Sequence, residues 1–87
     1  MRLEPGMLAK SKAGHDKNCI YVIICVNDEY VYLADGLEKS IFHAKKKNKK
    51  HIQPITKIKC NSLSDDQEIR NIIDKYSKSI ESRNEKR

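Results

Sequence analysis

Eighty-seven residues of 10.1 kDa allow one domain and exclude a second full hydrophobic core. Hydrophobic residues make up 38% of the chain and charged residues 34%, so the core is small. Eighteen Lys and Arg against 12 Asp and Glu leave a net charge of +6, which bears on function only where the excess is gathered.

It is gathered in the first two-thirds. Residues 1–60 hold 12 basic and 6 acidic side chains, and residues 61–87 hold 6 of each. Between residues 39 and 59 there are eight lysines and no acid, a local positive field whose natural partner is a polyanion. The three cysteines, Cys19, Cys25 and Cys60, are odd in number, and no run resembles a signal peptide or a membrane span. The expectation is a cytoplasmic protein with reduced thiols and no membrane partner.

In chain order, Pro5-Gly6 is a turn pair, and Met7-Leu8-Ala9-Lys10 follows as a short strand. A basic loop around Gly14 leads into residues 19–26, where five of eight residues are Ile or Val, stiff at χ1 and suited to a pleated sheet. Alternation puts Ile20, Val22, Ile24 and Val26 on one face and Cys19, Tyr21, Ile23 and Cys25 on the other. Both faces are apolar, so something should cover the second. Asn27-Asp28-Glu29 turns into a third strand, residues 30–34, ended by the turn signal Asp35-Gly36. A fourth strand is expected over residues 39–43. His51-Ile52-Gln53-Pro54-Ile55 then reads as a fifth, edge strand, because proline lacks the donor that a central strand needs. Five short strands with short turns predict a mainly β fold, a small barrel.

After Thr56 the period changes. Ile69, Ile72, Ile73, Tyr76 and Ile80 form an apolar stripe at helical spacing. Ser64 with Gln67 makes a capping box, and Asp65 and Asp66 suit the positive end of the helix dipole. The predicted layout is a barrel over residues 1–60, a helix over 61–82 packed on the spare face of the second strand, and a frayed tail over 83–87.

The sharpest functional signal is the tract Lys45, Lys46, Lys47, Lys49 and Lys50, with His51 next to it. Lysine neutralises phosphate without demanding one geometry, so such a tract gains affinity by counterion release and reads little base identity. Lys10, Lys12, His15 and Lys17 belong to the loop around Gly14, where a residue without a Cβ lets backbone approach a phosphate. These two basic segments are expected to converge on one rim and bind RNA. Tyr21, Tyr30 and Tyr32 could stack on bases but more simply pack within the sheet, and Phe42 reads as core. No Cys-x-x-Cys pair accompanies the three histidines, and no oriented nucleophile and base are visible. No metal, cofactor or catalytic residue is expected, and the chain does not read as an enzyme.

The stretch Gly6-Met7-Leu8-Ala9-Lys10-Ser11-Lys12-Ala13-Gly14-His15-Asp16-Lys17-Asn18-Cys19-Ile20-Tyr21-Val22-Ile23 resembles a KOW motif, the strand-loop-strand unit of SH3-like barrels in ribosomal proteins and transcription elongation factors. With the Asp35-Gly36 turn, the lysine tract and His51 to Pro54 in that order, residues 6–55 look like the "fourteen-e" large-subunit ribosomal protein family and its bacterial KOW-domain relatives. The resemblance implies that the barrel of about five strands is SH3-like and of KOW type, and the C-terminal helix read from the isoleucine spacing is added to it. The resemblance also implies ribosomal RNA as the target; association with the ribosome, ribosomal proteins as further partners and a monomer when free are expected beside it. His15 stands where that family usually has arginine, and Asn18 where it usually has glycine. Two other readings stay open: a protein-interaction module holding an acidic peptide, and a transcription-associated KOW module.

Overall fold

The computed structural model describes residues 3–61, 63 and 65–85, with side chains as far as residue 79. Five strands, β1 (Met7–Ser11), β2 (Ile20–Val26), β3 (Tyr30–Ala34), β4 (Lys45–Asn48) and β5 (Ile52–Lys59), precede one helix, α1 (Asp66–Glu85). All pairings are antiparallel, in the order β4-β3-β2-β1-β5, making one open sheet with β4 and β5 at its edges. Pro54 lies on an edge strand as expected, beside Ala9.

The fourth strand does not lie over residues 39–43, where it is expected from the sequence. Those residues form turns, tied down by Asp35, whose carboxylate accepts from the backbone of Leu37 and Lys39 at 2.9 Å each. The strand is instead the lysine tract, with Lys45 opposite Leu33 and Lys47 opposite Val31. Lysine is a poor strand former in general, but an edge strand needs only one neighbour, and lysine there discourages pairing with another chain.

Two apolar layers sandwich the sheet. Met7, Ala9, Tyr21, Ile23, Val31, Leu33 and Ile52 fill its inner face, while Leu8, Val22, Ala34 and Ile55 on the outer face meet Cys60 and the helix residues Ile69 and Ile73. Ile69 and Ile73 are buried, each contributing roughly 1.5–3 kcal/mol of apolar transfer. The helix thus covers the second face of β2. One expected position departs: the β2–β3 register slips between Ile23 and Cys25, so Val26 packs with the inner layer and Cys25 is exposed. Phe42, read from sequence as core, is 82% exposed.

Asp65 caps the helix, its carboxylate accepting from Gln67 N at 2.9 Å; Ser64, the expected cap, lies outside the described residues. Backbone helix continues to Glu85, past the expected end near Ser82, because each added turn costs little once the first turns are docked. The helix N-terminus is tied to the β3–β4 connection: Asp66 Oδ1 accepts from Ile41 N at 2.9 Å and Arg70 donates to the Asp35 carbonyl at 3.2 Å. Gly36 allows that approach. Its φ is +78°, and a Cβ there would lie 2.5 Å from the Asp66 carbonyl oxygen.

Candidate nucleic-acid interface

The loop between β1 and β2 is a closed hydrogen-bonded unit. Ser11 N donates to Cys19 O at 3.0 Å, Asn18 N to Ser11 O at 2.8 Å and Cys19 N to Asp16 O at 2.9 Å. Gly14 and Asn18 both take positive φ, +87° and 76°, so asparagine supplies here the left-handed turn that a glycine would. The result holds Lys12, His15 and Lys17 exposed.

The second basic segment reaches this loop from the far edge of the sheet. Lys47 Nζ donates to Ala13 O at 2.9 Å and to Asp16 Oδ1 at 2.9 Å, and Lys45 Nζ pairs with Asp16 Oδ2 at 2.9 Å. A single 3₁₀ turn, Lys49–His51, then joins β4 to β5. It bonds at both ends of the fold, Lys49 N to Glu29 O at 3.0 Å and Lys12 N to His51 O at 2.8 Å. In a flat sheet the β2–β3 turn that carries Glu29 and the β1–β2 loop that carries Lys12 lie at opposite ends. A three-residue turn bonded to both therefore requires a strongly coiled sheet.

Asp16 is the organising residue, and the sequence reading did not single it out. Ser11 Oγ donates to it at 2.9 Å and the Tyr21 hydroxyl at 3.0 Å, besides the two lysines. Burial alone would push its carboxyl up; the hydrogen bonds from Lys45, Lys47, Ser11 and Tyr21 outweigh that and hold it well below the ordinary carboxylate range. The Tyr21 phenol is pushed up, first by burial and then by donating to Asp16. A lone acid in a basic loop beside an apolar strand is the only sequence signal for this role. Tyr21 is accordingly a core residue and not a stacking surface.

The expected site residues therefore divide. Lys45 and Lys47 are engaged with Asp16, at 31% and 11% side-chain exposure. Lys46, on the opposite face of β4, lies over the Tyr30 ring at 4.3 Å from its centroid. Lys10 shares the outer face of β1 with Leu8 and is half-buried. Lys12, Lys17, Lys46 and Lys50 are exposed and Lys49 partly so; none of these has an ion-pair partner among the described residues. His15 and His51 are exposed beside them. Asp28 and Glu29 border this surface, lining a shallow recess with Asn48, Lys49 and Lys50. No helix among the described residues is long and apolar enough to cross a membrane. No family model matches the chain, and no curated protein matches it.

Proposed function

We propose that this protein binds structured RNA, chiefly through phosphates, on the surface where the Gly14 loop meets the lysine tract. The observation that carries the reading is the Lys47 ammonium, 2.9 Å from the Ala13 carbonyl and 3.6 Å from where a Gly14 Cβ would stand. Two basic segments some thirty residues apart in sequence thereby share one rim. The KOW-like order of residues 6–55, the strand order β4-β3-β2-β1-β5 and the coiling of the sheet support an SH3-like barrel of KOW type as the scaffold. On this reading the target is ribosomal RNA and the protein is a cytoplasmic, ribosome-associated factor. It is no enzyme, and ribosomal proteins are its neighbours.

The test is the salt dependence of RNA affinity. Lys10, Lys12, Lys17, Lys46, Lys49 and Lys50 have no acidic partner among the described residues. If each neutralises one phosphate, log K falls with log salt at a slope of about −4 to −5. A slope near zero would falsify the proposal. Sedimentation in a lysate gradient with ribosomal subunits, and its loss after ribonuclease treatment, checks the ribosomal part. Sedimentation with polymerase would favour the transcription-associated reading, and an acidic peptide retained after ribonuclease would favour the protein-interaction one.

A further inference from the structure

The β1–β2 loop has an enclosed part and an exposed part. In the enclosed part Asp16 accepts from Ser11 and Tyr21 and pairs with Lys45 and Lys47. The Ala13 carbonyl takes a further bond from two of these donors, Ser11 Oγ at 3.1 Å and Lys47 Nζ at 2.9 Å. The chain on either side of Gly14 is thereby fixed by a side chain from the far edge of the sheet. In the exposed part lie Gly14 and His15, whose backbone N–H groups have no acceptor among the described residues.

Burial and hydrogen bonding assign each part a task. A carboxylate offers about four acceptor sites, and the four donors around Asp16 fill them. Lys47 is as enclosed as Asp16, each at 11% side-chain exposure, so neither is free to meet a ligand. One carboxylate against two ammoniums leaves the cluster positive, and it does not repel an anion at the loop tip. Lys12 and Lys17 flank that tip and have no acidic partner among the described residues. Unpaired N–H groups at a turn with a left-handed glycine, between lysines, fit a phosphate oxygen. A lysine reaches a phosphate from many geometries, whereas an N–H bonds only when its direction is fixed.

Resting on the RNA-binding reading above, we infer that Asp16 and Lys47 are positioning residues: neither touches RNA, and together they hold the Gly14 and His15 N–H groups in place for one phosphate. The expected effect runs against simple charge. Asp16→Asn raises the net charge of +6 by one unit and Lys47→Met lowers it by one, yet both should weaken binding of the same RNA. The experiment titrates the full chain with an RNA hairpin across a salt series, counting active molecules separately from their affinity. Each variant is expected to lose about tenfold in affinity, one charge-assisted hydrogen bond, with the salt slope unchanged. In the unmodified protein, amide exchange at Gly14 and His15 is expected to slow when the hairpin binds. Tighter binding by Asp16→Asn makes Asp16 a competing anion, and a slope lower by about 0.7 to 0.9 in Lys47→Met makes Lys47 a direct phosphate contact. Fewer active molecules of unchanged affinity reduce the pair to fold stability alone. Any of these results, unchanged binding by both variants, or unslowed exchange at Gly14 and His15 overturns the inference, while a steep salt slope leaves the RNA reading standing. The exchange measurement decides the matter where a variant does not fold. Absence of salt-dependent binding by the unmodified protein removes both.

Discussion

Adjacent lysines of one tract have opposite fates. Lys45 and Lys47 turn to the inner side of β4 and pair with Asp16, while Lys46, Lys49 and Lys50 have no acidic partner among the described residues. The strand alternation separates Lys46 from its neighbours, and the 3₁₀ turn after Asn48 takes Lys49 and Lys50 out of the ladder. A basic tract in a sequence is therefore not a count of available charge. Part of this one closes the inner core and fastens the β1–β2 loop across the sheet, and the remainder keeps its charge unpaired among the described residues.

The largest break in that comparison comes from removing the shared acid. Asp16→Ala removes the acceptor that Lys45 and Tyr21 use, leaves Lys47 and Ser11 only the Ala13 carbonyl, and is expected to destabilise the fold by about 3 kcal/mol, the low end for breaking a buried pair. For a chain of this size a thermal melt would show roughly 12–24 °C of lowering. If the melt moves by only a degree or two, the Asp16 cluster is not what fastens the loop. Lys47→Met removes one charged donor while Lys45, Ser11 and Tyr21 remain, and about 1.5 kcal/mol is expected by chemical denaturation.

Acid titration sharpens the same point. The Asp16 carboxyl is held below its ordinary range in the folded protein, so its stabilisation is fully present above about pH 4. It is lost progressively as the pH falls from there toward the much lower folded value. The unmodified protein should lose more stability than Asp16→Asn between about pH 4 and pH 2. Parallel pH profiles for the two would contradict the assignment.

The smallest stability effects belong to the other lysines. Lys46→Ala gives up an exposed ring contact worth about 0.5–1 kcal/mol, and Lys49→Ala with Lys50→Ala should stay within about 0.5 kcal/mol of the parent. The latter pair is instead expected to lower the steepness of the RNA salt dependence by about 1.4 to 1.8. A destabilised Lys49→Ala, Lys50→Ala double variant with an unchanged slope would invert the comparison.

Much of the fold was legible because local pattern and burial agree. The β-branched run of β2, the aromatic alternation of β3, proline on β5 and the isoleucine stripe of α1 each state their own element and face. The misreadings came where a neighbour decided. Nothing local to KKKN indicates a strand, because β3 supplies its partners. Nothing in residues 19–26 announces the slipped register that turns Val26 inward and Cys25 out. Phe42 looked like core by composition, yet Ile41 beside it takes the buried place against the helix-facing layer.

By itself the sequence determined a small, mainly β chain with one amphipathic helix and two basic segments, because hydrophobic period, turn chemistry and charge density are properties of neighbouring residues. Only the tertiary structure decided that Asp16 draws in Lys45 and Lys47, that the two segments meet, and that Phe42 faces outward. Those outcomes depend on which groups meet after the sheet has coiled. The energy of a charge or a ring is set by what surrounds it, and in this chain the surroundings of Asp16 and Lys47 come from positions thirty-one residues apart.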